Sequence, residues 1–235
     1  MITANFDFGL FGRLRAAAGA DWTDYVNHPF VGQLGRGTLP QACFRRFLTQ
    51  DYLFLIHYAR AYALLAHKST TLADIRMATA TLDAIVQELP LHLKYCAGWG
   101  LTEAMIEAEP EAPETMTYTR FVLDVGHSGD MLDLWVALMP CVAGYAEIGQ
   151  LLISDKATVI EGNMYADWIR NYEGEHFLAS AQAAIENLDS LGKRRGADAR
   201  FAELSKIFNT ATRLEAAFWQ MGLNAGHSKE PIAAE

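Results

Sequence analysis

Cys141 lies in a stretch of sequence whose residue types are suited to covalent chemistry. The segment ALMPCVAGYAEIGQLL (137–152) is apolar enough for a buried helix, yet Pro140 interrupts it immediately before the thiol. Proline removes one helical N–H donor and clashes with the preceding turn, at about 3 kcal/mol. The resulting bend can turn Cys141 toward a cavity, with Tyr145 four residues further on the same face. The pattern favours a nucleophilic thiol, although an isolated cysteine is more often a small core residue.

Two acidic residues also lie among apolar and aromatic neighbours. Asp51 shares a helical face with Phe54, and Glu215 precedes Phe218 and Trp219. A buried carboxylate is costly unless hydrogen bonds compensate, and burial raises its pKa toward neutrality. Asp51 is therefore a candidate ligand anchor and Glu215 a candidate general acid or base. The structural alternatives are a helix-bridging aspartate and a surface glutamate.

A metal site is the competing interpretation of other acidic residues and histidines. Glu88 and His92 are four residues apart, and Glu173-x-x-His176 matches the Glu-x-x-His pattern of di-iron helical bundles. Such sites need that pattern on two helices, whereas this chain has one copy, interrupted by Gly174. We therefore expect no metal and no other cofactor.

A glycine-rich segment raises the question of phosphate binding. GQLGRG (32–37) has the order G-x-x-G-x-G, and no predicted strand precedes it. The dinucleotide-binding fingerprint is therefore absent, and the segment is predicted to be a plain loop.

The elements that must position these residues are helical. Apolar residues recur at helical spacing in segments 6–19, 41–69, 72–100, 114–129, 130–153, 163–174, 175–192 and 198–222. Pro40 is expected to open the second of these helices and Gly192 to close the seventh. We find no strand pattern, internal repeat or dividing linker. The sequence predicts one all-α domain, a helical bundle over residues 1–225, followed by a flexible tail (226–235).

Composition narrows the possible partners and compartment. The 235 residues are 51% apolar and 20% charged, and the net charge of −9 comes without a basic stripe, which argues against nucleic acid as a partner. Three cysteines cannot all pair and have no metal-binding spacing, which indicates a reducing compartment. No secretory leader is evident, and charged residues or proline interrupt every long apolar window. We expect a cytoplasmic protein with no membrane partner.

Taken in order, the motifs resemble those of the thiaminase II (TenA-type) family of aminopyrimidine hydrolases. The matching pieces are HPFV…GTLP (28–40), FLTQDY (47–52), ELPLH (88–92), TYTRFV (117–122), LMPCVAGYAEIG (138–149), WIRNYEGEHF (168–177) and LEAAFW (214–219). The resemblance covers most of the chain. It implies an all-α bundle like that of haem oxygenase, usually assembled as a homotetramer.

The resemblance also implies a set of pocket residues. Cys141 and Glu215 would be catalytic, Cys141 placing the chain in the branch with a cysteine nucleophile. The substrate-binding positions would be Asp51, Phe54, Tyr118, Tyr145 and Tyr172. Leu214 and Ala216 flank Glu215 where many members carry an aromatic residue, which leaves the identity of the substrate open.

The implied reaction is hydrolysis of the C–N bond at the 5-methylene of an aminopyrimidine, in thiamine salvage. The substrate would be 4-amino-5-aminomethyl-2-methylpyrimidine, or thiamine, and the product the hydroxymethylpyrimidine. A free thiol has a pKa near 8.5, so some local activation of Cys141 is expected. The alternatives are a non-catalytic pyrimidine-binding protein and a di-iron carboxylate oxidase. The position of Glu147, in the pocket or at a subunit contact, stays open.

Overall fold

The computed structural model describes residues 3–226, except for the side chain of Leu91. Within that range the chain forms helices and no strand. The helices are α1 (Gly9–Ala18), α2 (Ala20–Val26), α3 (Pro29–Gly35), α4 (Gln41–Lys68), α5 (Leu72–Ala97), α6 (Glu103–Glu107), α7 (Pro113–Ser128), α8 (Met131–Ser154), α9 (Ala166–Glu173), α10 (Glu175–Arg194) and α11 (Phe201–Asn224). The predicted all-α class is confirmed. The predicted flexible tail lies, apart from Gly226, outside the described residues.

Helix α4 follows the periodicity of its sequence closely. Pro40 occupies the N-cap position, where its missing N–H is not needed, and Lys68 ends the helix among basic residues that suit its C-terminus. Most of its apolar and aromatic side chains are buried, along with Asp51. Helix α4 packs chiefly against α5 and also contacts α7, α8 and α11. Its buried face therefore meets the helices that carry the other candidate residues.

Helix α8 lies at the centre of the bundle. It begins with a capping box in which Asp130 accepts from the backbone N–H of Asp133 and the Asp133 side chain accepts from that of Asp130. Among the described residues it is the one helix long and apolar enough to cross a membrane by length and composition, and 72% of its most apolar window is buried in this protein. Neighbours α7, α9, α10 and α11 pack around it. A helix that is apolar on all sides suits such a central position.

Two predictions about glycines were wrong, for a shared reason. Residues Gly32–Gly35 of the predicted loop belong to α3, and α10 continues through Gly192 to Arg194. A Cβ on Gly35 would lie 2.6 Å from Leu152, and one on Gly192 would lie 2.7 Å from Leu10. Both glycines therefore allow close helix packing: Gly35 is the last residue of α3, and Gly192 lies inside α10. The short helices α2, α3 and α6 were not predicted either, because each has too few residues to show a helical period.

Candidate active site

Helices α8 and α11 bring Cys141 and Glu215 together. The Cys141 thiol lies near enough to the Glu215 carboxyl group for each to shift the pKa of the other, and that carboxyl group accepts a hydrogen bond from the Tyr118 hydroxyl at 2.8 Å. Glu215 and Tyr118 are buried, whereas Cys141 is partly exposed. The pairing of a nucleophile type with a carboxyl group is the arrangement that covalent catalysis requires.

The surroundings keep Glu215 protonated at neutral pH. Burial raises the pKa of its carboxyl group to about 8, and the negative charge of Asp51 acts in the same direction. The hydrogen bonds from Tyr118 and Cys141 favour the charged form and oppose these two effects only in part. Glu215 can therefore donate a proton at neutral pH, as its predicted role as a general acid requires.

The pKa of the Cys141 thiol differs from expectation. Burial, followed by the negative charges of Glu215 and Asp51, raises the pKa of the thiol well above its ordinary value, and a hydrogen bond with Tyr58 only partly offsets this. The predicted local activation of the free thiol was therefore wrong. The reasons are burial and the neighbouring carboxyl groups, which disfavour a negative charge on the sulfur. A thiolate must form together with a proton transfer, for which Glu215 is a nearby carboxyl group.

Asp51 on α4 pairs with His92 on α5. The His92 Nε2 and Asp51 Oδ2 atoms are 2.7 Å apart, and both side chains are buried. Burial alone would lower the pKa of His92, but the hydrogen bond and charge of Asp51 outweigh it and raise that pKa. His92 thereby holds one oxygen of the Asp51 side chain in place.

A second carboxyl–hydroxyl pair joins α5 to α9. The Tyr172 hydroxyl donates to Glu88 Oε1 at 2.8 Å, and burial raises the pKa of Glu88. Sequence reasoning considered Glu88 and His92 only as metal ligands, so their place beside the candidate pocket was missed. Their four-residue spacing was the available signal, because it puts both side chains on one face of α5.

Aromatic rings surround these polar groups. Phe54 lies against Tyr118 with ring centroids 4.9 Å apart, and Tyr145 contacts Tyr172 at 5.0 Å and Trp219 at 5.2 Å. Flat apolar walls with a few polar groups are typical of sites that bind planar heterocycles. Phe54, Tyr118 and Glu215 form one contact group and Tyr145 and Tyr172 a second, and the charges of Asp51 and Cys141 affect the pKa of both Tyr145 and Tyr172. Their individual roles stay predictions.

Two tyrosines brace the proline-containing turn of α8. The Tyr58 hydroxyl donates to the Leu138 carbonyl at 2.9 Å, and the Tyr25 hydroxyl donates to the Pro140 carbonyl at 3.2 Å. Helix α8 continues past Pro140 to Ser154, although proline cannot supply a donor to the preceding turn. Hydrogen bonds from outside the helix, worth about 1 kcal/mol each, partly offset the cost of the proline. Cys141 directly follows the braced carbonyls.

Glu147 faces away from the candidate pocket. Its carboxylate accepts two hydrogen bonds from Arg15, at 2.9 and 2.6 Å, and one from the Trp22 indole at 3.0 Å. These contacts fasten α1 and α2 to α8 within the chain. Within the described chain, Glu147 is therefore an intramolecular ion-pair partner and does not belong to the Cys141–Glu215 group.

No group of three or more His, Cys, Asp or Glu within residues 3–226 is arranged to hold a metal ion. The four residues considered for a metal are dispersed: Glu88 and His92 pair with Tyr172 and Asp51, while His176 is exposed on α10. The absence of a bound metal in the protein stays a prediction.

A surface cleft of about 230 Å³ lies elsewhere, next to Phe44, Tyr95, Trp99 and Tyr165. It contains none of the predicted site residues. We assign the chemistry to the Cys141 region because that is where the nucleophile and the carboxyl groups meet.

Fold and site together define an all-helical protein with the features of an enzyme: a thiol, a protonated carboxyl group and a carboxylate anchor enclosed by aromatic rings. Residues 15–225 match the TENA/THI-4/PQQC family, and the chain belongs to that family.

Several other proteins are similar to most of this chain. The chain is 42% identical to an uncharacterised protein of Haemophilus influenzae, over 86% of this chain and 94% of that protein. It is 35% identical to the aminopyrimidine aminohydrolase of Halalkalibacterium halodurans, over 86% and 90% of the two chains. A crystal structure from Silicibacter sp. TM1040, described as a TenA family transcription regulator, has a TM-score of 0.85 and 42% identity, covering 93% of this chain and 98% of that one. The relative named aminopyrimidine aminohydrolase supports hydrolase activity of the TenA type.

Proposed function

We propose that this protein hydrolyses the C–N bond at the 5-methylene of 4-amino-5-aminomethyl-2-methylpyrimidine. The products are the hydroxymethylpyrimidine and ammonia, and the reaction serves thiamine salvage. The observation that carries the proposal is the proximity of the Cys141 thiol to Glu215, a buried carboxyl group that Tyr118 holds by a hydrogen bond of 2.8 Å. The names of relatives that act on aminopyrimidines support the substrate class.

The first half of the reaction adds the thiol to the ring. The Cys141 sulfur bonds to the unsubstituted ring carbon while its proton passes to the Glu215 carboxyl group. Glu215 delivers a proton to the adjacent ring nitrogen, so no net charge is created in the buried site. This coupling explains how a thiol with a raised pKa can react: the proton leaves as the sulfur–carbon bond forms.

The second half exchanges the amine for water. The substrate amine leaves in its protonated form: the electron-rich ring, no longer aromatic, expels it from the methylene carbon as ammonia, which leaves an exocyclic double bond and one positive charge on the ring. Water adds to that methylene, becomes its hydroxyl group and releases one proton, which restores the charge balance. The ring nitrogen then loses its proton, the sulfur leaves as the Cys141 thiol, and aromaticity returns. One water is consumed for each ammonia released.

The remaining residues bind and orient the pyrimidine. Asp51, held by His92, accepts hydrogen bonds from the 4-amino group and sets the register of the ring. Phe54 and Tyr172 provide rings against which the pyrimidine packs. Tyr145 is placed between Tyr172 and Trp219 to position the leaving group and water.

The deciding experiment is incubation of the purified protein with the aminomethyl pyrimidine, with thiamine run in parallel. We expect ammonia and the hydroxymethylpyrimidine in equal amounts. Saturable binding without ammonia release would identify a carrier instead. The cytoplasmic location and the homotetramer remain predictions. Light scattering of the purified protein tests the assembly, and cell fractionation tests the location.

A further inference from the structure

Helix α2 contacts α8 at the turn that carries Cys141. Tyr25 of α2 is completely buried, and its hydroxyl donates to the Pro140 carbonyl at 3.2 Å. Its ring fills the space beside Gly144, where an added Cβ would lie 2.2 Å from the ring carbon Cε1. One side chain therefore touches α8 on both sides of the cysteine, directly before it and three residues after it.

The neighbouring contacts hold this tyrosine in place. Trp22, one turn earlier in α2, packs edge-on against Tyr25 with ring centroids 5.6 Å apart. The Trp22 indole donates to Glu147, which Arg15 of α1 also binds. Helix α2 is thus fastened to α8 at a second point beyond the cysteine, and the Tyr25 ring is confined between these contacts.

The proline makes such a contact necessary. Pro140 supplies no N–H to the Val136 carbonyl, so the helical hydrogen bonds constrain the Cys141 turn less than an ordinary turn. The direction of the sulfur then depends on what packs against the turn from outside. On the basis of the proposed hydrolysis, we propose that Tyr25 is a positioning residue, which holds the turn 140–144 so that the Cys141 sulfur meets Glu215.

The first test makes the same substitution, tyrosine to phenylalanine, at two buried positions and compares the effects. Tyr25→Phe keeps the ring beside Gly144 and removes only the hydroxyl group. Tyr165→Phe is the matched control, because Tyr165 is equally buried and donates to a backbone carbonyl, that of Leu39, at 2.5 Å. We expect Tyr25→Phe to lower kcat at least about tenfold with little change in KM, since misplaced reacting groups lose rate more than binding. The control should keep the wild-type kcat.

The second test does not depend on hydrolysis. The full-length proteins are treated with iodoacetamide, and the alkylation rate of each cysteine is followed by mass spectrometry. In Tyr25→Phe, Cys141 alone should react about fivefold faster, because its turn is released from a confined position. Cys43 and Cys96 are buried and serve as internal references. Tyr165→Phe should leave the Cys141 rate unchanged.

The outcomes separate the two proposals. If the wild-type protein releases no ammonia, the proposed function fails, and the alkylation rates still decide the role of Tyr25. An unchanged Cys141 rate in Tyr25→Phe would overturn the positioning role, as would a wild-type kcat in an active enzyme. A parallel rise at all three cysteines would overturn it too, because it would show general loosening of the fold.

Discussion

Tyr118 on α7 donates a hydrogen bond to Glu215 on α11, with 2.8 Å between the hydroxyl and carboxyl oxygens. Both side chains are buried, so the interaction is shielded from water. It is one of the two hydrogen bonds that favour the charged form of Glu215, against burial and the charge of Asp51. Removing the Tyr118 hydroxyl should therefore change the pKa of Glu215.

Hydrolysis should decline as the pH rises through about 8, because Glu215 loses the proton that the ring nitrogen receives. Tyr118→Phe removes a donor that stabilises the carboxylate, so the pKa of Glu215 rises further and the decline moves to higher pH. The measurement is kcat/KM from pH 6 to pH 10, which covers roughly two pH units on each side of the Glu215 pKa of about 8. Tyr165→Phe is the control and should keep the wild-type pH profile. A wild-type pH profile in Tyr118→Phe as well would contradict the assignment of the decline to Glu215.

Cys141→Ser should reduce kcat by at least about a thousandfold while the pyrimidine still binds, because an alcohol is a much weaker nucleophile than a thiol. Ammonia release gives kcat, and calorimetry gives the affinity. Cys43→Ser is the matched control, since a serine hydroxyl can keep the hydrogen bond that Cys43 makes to the Leu223 carbonyl. Turnover at the wild-type rate in Cys141→Ser would end the covalent mechanism.

Asp51→Asn should weaken binding of the pyrimidine more than it slows turnover. Replacing a charged acceptor by a neutral amide costs about 2 kcal/mol, or roughly thirtyfold in Kd. Calorimetric titration measures the loss. Asp198→Asn makes the same change at an exposed ion pair with Arg13 and should have no effect. Equal affinities for Asp51→Asn and the wild-type protein would remove Asp51 from the binding site.

Glu215→Gln should stabilise the folded protein at alkaline pH while abolishing hydrolysis. The folded-state pKa of about 8 lies above the ordinary value of 4.5. Between these values the unfolded chain releases the proton and the folded protein keeps it, so stability falls as the pH rises through this window. At pH 8 the effect is about 4 kcal/mol. Glutamine does not titrate, so Glu215→Gln removes this loss of stability.

Urea unfolding of the wild-type protein and of Glu215→Gln, at several pH values between the two pKa values, measures the difference in the free energy of unfolding. Glu147→Gln is the contrasting variant, because it weakens the buried ion pair with Arg15 and should destabilise the protein. A wild-type slope of stability against pH in Glu215→Gln would show that Glu215 is not the group that titrates.

Chelator treatment should leave hydrolysis intact. In the described chain Glu88 and His92 already hydrogen-bond to Tyr172 and Asp51, and no second Glu-x-x-His pattern is available to complete a di-iron site. Elemental analysis of the purified protein before and after chelation, with the ammonia assay on both samples, checks this expectation. Near two metals per chain, with activity lost on their removal, would overturn the cysteine mechanism.

The long helices and the site residues were within reach of sequence reasoning. Helix α4 was predicted over residues 41–69 and is observed over Gln41–Lys68, because its apolar spacing continues for several turns. Cys141 was singled out by the proline before it, and Glu215 by the aromatic residues after it. Such signals depend on neighbours within a few residues, which the sequence displays directly.

Contacts between distant segments were not predictable in this way. The pairing of Asp51 with His92, the direction of Glu147 and the contact of Tyr25 with the Cys141 turn each join different helices. The raised pKa of the thiol likewise comes from burial among the packed helices and then from carboxyl groups on other elements.

By itself, the sequence determined the helical class, the position of the candidate nucleophile on α8 and the acidic groups available to it, because helical period and residue chemistry are local properties. Only the tertiary structure decided which acidic group lies beside Cys141 and which is tied to Arg15. The physical reason is that helix crossing angles and registers arise from close packing of whole side chains. A shift of one residue in the register of α8 would turn Cys141 by about 100° around its helix axis, away from Glu215.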